Sequence, residues 1–251
     1  MRRFIPILAS LLIVVQFSSG EALARSKRIL VFGDSNTWGS TARVAGRQVT
    51  RLPDDQRWAG VLASSLSESA VVLVDGLSGR TVDVDRKQGI GAVTVGSDFN
   101  GAKALRAAIA REMPLDLVVL MLGTNDLAPA FDKTPTAIAQ SAMGLASIVR
   151  SSEGGTATSY PAPQVLVVVP PLLGNLTSPP MNELFAGAPA KAALLSNAFL
   201  EASRIDRVPV FDASTVVKTE GDDGVHLTVD NHRTLGKALA PVVDTMLRDV
   251  R

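Results

Sequence analysis

The chain has 251 residues, 46% of them hydrophobic, which suffices for the full core of one large α/β domain or two small ones. Its 25 basic and 24 acidic residues nearly cancel and form no basic block, which excludes nucleic acid and an anionic membrane surface as expected partners. Cysteine is absent, so disulfides, thiol catalysis and cysteine-ligated metals are excluded too.

The first residues read as a secretory signal. Arg2 and Arg3 form a basic start, Phe4 to Phe17 is almost wholly apolar, and Ala22-Leu23-Ala24 is a small-x-small cleavage site. The apolar run is shorter than the roughly 18–20 residues that span a bilayer, so no stable membrane anchor is expected after processing. Cleavage after Ala24 removes Arg2, Arg3 and Glu21 and leaves basic and acidic residues equal in number. The expectation is a signal peptide over 1–24, one domain over 25–251, and a periplasmic or secreted protein.

Beyond Ala24, short apolar runs alternate with helical stretches. Strands are predicted at Arg28 to Phe32, Ala70 to Val74, Asp116 to Leu122, Gln164 to Val169 and Val208 to Phe211. Each is nearly continuous in apolar residues and followed by Gly, Pro, Asp or Asn, as strands covered on both faces are. Trp58, Val61, Leu62 and Leu66 share one helical face, which makes Trp58 a core residue. Later helices are predicted over Ala102 to Arg111, Pro135 to Val149 and Ala190 to Ile205. A final helix starts near Thr228 and runs towards Arg248, with Pro241 expected to kink or interrupt it. This alternation implies a parallel sheet between two helix layers, a three-layer α/β/α sandwich. Ser40 to Asp55, Val84 to Asn100 and Pro171 to Pro189 fit no element. All three adjoin strand carboxyl ends and are candidate walls of a substrate pocket.

Ser35 stands in Gly33-Asp34-Ser35-Asn36-Thr37-Trp38-Gly39, directly after the first strand. A serine there alone is most simply a turn residue or helix cap. Asp223-Gly224-Val225-His226 supplies an acid three residues before an imidazole, close enough to accept the Nδ1 proton and leave Nε2 free to take a proton from serine. Asp222 is spaced less suitably. The only other histidine, His232, lies within the last helix and reads as a solvated or capping residue. Gly123-Thr124-Asn125-Asp126 puts a side-chain amide after the third strand, where it can face a developing oxyanion or simply make an Asx-turn. Asp75-Gly76-Leu77-Ser78-Gly79-Arg80 puts glycine after the second strand, where backbone can approach a ligand closely. Arg80 can meet a polar acyl or alcohol group, and reads more simply as solvated. Trp38 reads equally as pocket wall or core.

These blocks resemble those of the SGNH hydrolases, the GDSL esterase/lipase family, whose four name residues fall on Ser35, Gly79, Asn125 and His226. Asn36 stands where the family's first block usually has Leu. Lys27-Arg28-Ile29-Leu30, Arg57-Trp58-Ala59-Gly60-Val61-Leu62, Pro114-Leu115-Asp116-Leu117-Val118 and Tyr160-Pro161-Ala162-Pro163 are similar to the bacterial arylesterase/acyltransferase branch. The likeness covers nearly all of the mature chain, least well Val84 to Asn100. It implies a flavodoxin-like α/β/α sandwich with a five-stranded parallel sheet, and a serine esterase needing no cofactor or metal. The implied triad is Ser35, Asp223 and His226, with an oxyanion hole from the backbone of Ser35 and Gly79 and the amide of Asn125. Asn36 and Trp38 are candidate substrate-binding residues. The implied partner is a small-molecule ester, and a homo-oligomer stays open because members of this branch often form one. Acyl transfer or perhydrolysis can accompany hydrolysis. Esters of acetylated carbohydrate, lysophospholipids and thioesters fit the same triad, and a non-catalytic binding module is the reading if the triad is accidental. The neutral chain points to uncharged or weakly charged esters.

Overall fold

The computed structural model describes residues 25–248 apart from Glu68 and Ser178. The expected signal peptide lies outside the described residues. Five strands, β1 (Lys27–Gly33), β2 (Ala70–Gly76), β3 (Leu117–Met121), β4 (Gln164–Val169) and β5 (Val210–Asp212), form one parallel sheet in the order β2-β1-β3-β4-β5. The helices are α1 (Ser35–Trp38), α2 (Trp58–Ser65), α3 (Gly101–Glu112), α4 (Pro135–Arg150), α5 (Met181–Leu184), α6 (Ala188–Asp206) and α7 (Val229–Arg248).

Strand side chains alternate between two buried layers, as the pleat requires. Leu30, Phe32, Val118, Leu120, Val165 and Val167 face a core shared with α3, α4 and α6. Ile29, Val31, Leu117, Val119, Leu166 and Val168 face a second core shared with α2 and α7. Burial on both faces is why the strands read as unbroken apolar runs. The predicted five strands and parallel sandwich stand, with shifts at their ends. β5 begins only at Val210, because Pro209 has no N–H to give a ladder. Asp116 lies just before β3, its carboxylate accepting the Arg28 backbone N–H at 2.7 Å.

The helices start at caps that the sequence supplies. Asn100 Oδ1 accepts the Lys103 N–H at 3.2 Å, Thr134 Oγ1 that of Ala137 at 3.1 Å, and Thr228 Oγ1 that of Asn231 at 3.1 Å. Of the two expected effects of Pro241, interruption does not occur, and α7 runs through it as one helix. Pro241 and Lys237, whose carbonyl loses its intrahelical donor, both lie on the exposed face, where water can satisfy that carbonyl.

His232 is fully buried rather than solvated. Its Nδ1 accepts the backbone N–H of Trp58 at 3.3 Å, so it caps α2 from a neighbouring helix instead of capping its own. Burial, and then the nearby charge of Arg57, pull its pKa from the ordinary 6.5 to about 4. The unfolded imidazole therefore binds a proton below about 6.5 while the folded one resists until about 4. Stability from this group is complete above that window and is lost as pH falls through it. His232→Asn keeps an acceptor for Trp58 without titrating. Thermal melts of both proteins from pH 7 to 4 should show the wild type losing on the order of 3 kcal/mol more than the variant.

Candidate active site

In this strand order β1 and β3 are neighbours whose chains depart in opposite directions, towards β2 and towards β4. The carboxyl ends of such a pair open a crevice, the usual ligand position in open α/β sheets. Ser35 follows β1 there and Asn125 follows β3.

Ser35 opens the single-turn helix α1 and is only 5% exposed. Asp34 caps that turn by accepting the Asn36 N–H at 2.9 Å, and Gly39 ends it at φ 87°. Gly33 is needed for the tight approach of this turn to β3, since a Cβ there would lie 2.1 Å from Thr37 Oγ1 and 2.7 Å from the Met121 carbonyl. Burial pushes the Asp34 carboxyl up to about 6, against the pull of the Asn36 N–H, the His226 charge and a hydrogen bond from Thr124.

The acid and imidazole come from the loop before α7. Asp223 Oδ2 lies 2.6 Å from His226 Nδ1. The same carboxylate accepts the backbone N–H groups of Val225 at 3.0 Å, His226 at 2.9 Å and Arg43 at 2.7 Å. Burial alone would raise Asp223, yet the hydrogen bond and charge of His226 and these N–H donors outweigh it and hold the carboxyl well below its ordinary range. An ionised Asp223 keeps the imidazole proton on Nδ1 and fixes the ring. Asp222 instead points outward to Arg47.

Gly79 sits at φ 89°, a conformation other residues rarely adopt, in the turn that follows β2. Asn125 Nδ2 donates to the Arg80 carbonyl at 3.0 Å, which joins the turns after β3 and β2. Asp126 beside it is buried, its carboxyl pushed up to about 6 by desolvation, and accepts the Val82 N–H at 3.0 Å. Arg80 is buried, not solvated. Its Nη1 donates to the carbonyls of Gly33 at 3.0 Å and Asp75 at 2.8 Å, its Nη2 to Asp75 Oδ1 at 2.8 Å, and the guanidinium lies 4.1 Å over the Phe32 ring. It is a strut between the ends of β1 and β2.

Ser35, Gly79, Asn125 and His226 line one cavity of about 240 Å³. All three unassigned loops contribute to its wall, through Ser40, Arg43 and Val49, through Arg86 and Ile90, and through Met181, Leu184 and Phe185. Trp38 also lines it, half-exposed, with the Arg51 guanidinium 5.3 Å from its ring, and so takes the wall position rather than the core. Trp58 is fully buried in the core, as its helical face predicts. No group of three His, Cys, Asp or Glu side chains suited to a metal occurs among the described residues, and none of their helices is long and apolar enough to cross a membrane.

Asn36 corrects its expected place as a substrate contact. It is buried, its Nδ2 donates to the Val225 carbonyl at 3.1 Å and its Oδ1 accepts the Leu227 N–H at 3.0 Å. The amide therefore grips the backbone on both sides of His226 from the residue next to Ser35. Leucine at this position would leave a buried carbonyl and a buried N–H unpaired. Asn36→Leu should lower the unfolding free energy by about 2–4 kcal/mol in denaturant titrations, with an unchanged value refuting this bracing role.

The profile of the GDSL-like lipase/acylhydrolase family matches residues 31–234. Among solved structures, an aryl esterase from M. smegmatis is similar at 41% identity and a TM-score of 0.82, over 88% of this chain and 100% of that one. A carbohydrate acetylesterase from Sinorhizobium meliloti is similar at 36% identity and a TM-score of 0.81, with the same coverage. A carbohydrate acetylesterase family member from the same organism shows 34% identity and a TM-score of 0.78, over 88% of this chain and 99% of that one. No curated protein matches the chain in sequence. A profile match across most of the chain, on a sheet whose strand ends gather the four name residues round one cavity, places the chain in the GDSL-like lipase/acylhydrolase family, the SGNH hydrolases, and makes it an ester hydrolase.

Proposed function

We propose that the chain is an exported serine esterase that cleaves small carboxylic esters, aryl or short-chain acyl, through an acyl-enzyme. The observation that carries this reading is the convergence of Ser35, Gly79, Asn125 and His226 on one cavity, with Asp223 on the far nitrogen of the imidazole. His226 Nε2 takes the Ser35 proton as Oγ attacks the ester carbonyl, and Asp223 stabilises the imidazolium that forms. The tetrahedral oxyanion is held by the N–H groups of Ser35 and Gly79 and the Asn125 amide. One amide proton of Asn125 is held by the Arg80 carbonyl, which orients the other towards the cavity. His226 then protonates the departing alcohol, and water repeats the sequence on the acyl-enzyme.

The size of the cavity and its apolar wall support short acyl groups and single aromatic rings. The same wall suits a second alcohol in place of water, which gives acyl transfer. A reading as a carbohydrate acetylesterase is favoured by the likeness to the Sinorhizobium meliloti structures and uses the same residues. Export rests on the basic, apolar and small-x-small succession before Arg25.

A panel of p-nitrophenyl esters of increasing acyl length, run beside acetylated sugars, tests the reaction and separates the two substrate classes. Hydrolysis should be greatest for the shortest acyl groups and fall to background in Ser35→Ala. Asn125→Ala should lower turnover by about a hundredfold or more, the usual cost of losing one oxyanion donor. Activity that survives in Ser35→Ala contradicts the serine mechanism, and undiminished turnover in Asn125→Ala removes that residue from it.

A further inference from the structure

The cavity that holds Ser35 and His226 also holds two arginines and no Asp or Glu among the described residues. Arg86 enters from the loop after β2 and Arg43 from the loop after α1. Arg86 is half-buried and held in place. Its Nη1 donates to the Gly79 carbonyl at 3.2 Å, and its guanidinium lies 5.5 Å from the centre of the Phe99 ring and 5.6 Å from that of Phe131. Arg43 is exposed, but its backbone is tied to Asp223. The Arg86 side chain is thus anchored on the Gly79 turn, and the Arg43 backbone on the acid that holds His226.

Neither guanidinium pairs with a carboxylate among the described residues. The neighbouring acids are engaged elsewhere: Asp83 with Lys133, Asp85 with Lys103 and Asn100, Asp222 with Arg47, and Asp223 with His226. Burial, and then the charge of Arg43, lower the Arg86 guanidinium from its ordinary value. Two like charges lining one pocket, one of them half-buried, repel each other until an anion joins them. The planar fork of a guanidinium matches a carboxylate in shape and charge.

We propose that the ester this enzyme prefers carries an anionic group, in its simplest form a carboxylate, bound by Arg43 and Arg86 while the ester carbonyl lies at Ser35. This rests on the serine esterase reading and narrows its substrate class. It also revises the expectation of uncharged substrates drawn from the neutral chain, because net charge averages over a surface while a substrate meets only the pocket.

The carboxylate can lie on either side of the scissile bond, so two substrate pairs are needed. Mono-p-nitrophenyl adipate against its methyl ester places the charge on the acyl side. Para-acetoxybenzoate against its methyl ester places it on the alcohol side. The readout is the ratio of kcat/KM for the charged and neutral members, measured in wild type, Arg43→Met, Arg86→Met and Arg86→Lys. In at least one pair the ratio should fall by about tenfold in each Met variant. It should be largely retained in Arg86→Lys, and in wild type it should decline as salt rises beyond roughly 0.1 M. If either Met variant leaves both ratios at their wild-type values, or lowers charged and neutral members equally, the proposal is overturned and the arginines act only as scaffold or as a general field on the oxyanion. Because Arg43 is exposed, its variant remains informative even if Arg86→Met folds poorly. Running the neutral esters with wild type and Ser35→Ala decides the esterase reading separately, since that reading fails if the wild type hydrolyses none of them or if hydrolysis survives in the variant.

Discussion

The site depends on one buried carboxylate. Asp223 accepts the His226 imidazole and three backbone N–H groups, two from its own loop and one from Arg43 in the loop after α1. Four donors on one group keep it ionised in a place where burial alone would raise its pKa. They also fix the loop that carries His226, although that loop belongs to no strand or helix. Without this anchor the imidazole would have neither a defined tautomer nor a defined position relative to Ser35.

The surrounding polar groups extend the same logic across the carboxyl edge of the sheet. Asn36 joins the turn of Ser35 to the backbone on both sides of His226, Arg80 ties the end of β1 to that of β2, and Asn125 ties the turn after β3 to Arg80. Each link joins segments that follow different strands. Preorganised donors of this kind stabilise charge as it develops, because they need not reorient during the reaction. The strands contribute rigidity, and the polar struts convert it into position.

Much of this was legible in the sequence, and the exceptions have physical causes. Strands buried on both faces announce themselves as apolar runs, so all five were found, and only their ends moved, as at Pro209. Ser35, Gly79 and Asn125 stand out because each lies in a short block where glycine or a polar residue follows an apolar run, and Asp223 and His226 because an acid stands three residues before an imidazole. His232 departs from its expected solvated place because its spacing to Leu235, Leu239 and Val243 puts it on the buried face of α7, where periodicity outweighs polarity. Arg80 and Asn36 depart from expectation for a different reason. Their partners are backbone atoms of segments distant in the chain, and no spacing rule reveals those. The charged character of the pocket was hidden likewise, since Arg43 and Arg86 lie on loops whose paths are set by tertiary contacts.

The claim at the centre of this account is that Ser35 is a nucleophile made reactive by His226 and Asp223. Incubation with a fluorophosphonate, followed by intact-mass measurement and peptide mapping, addresses it directly. A single adduct on the peptide containing Ser35, absent in Ser35→Ala and formed much more slowly in His226→Ala, is the predicted result. An adduct on another residue, or labelling of Ser35 at an undiminished rate without His226, would contradict it.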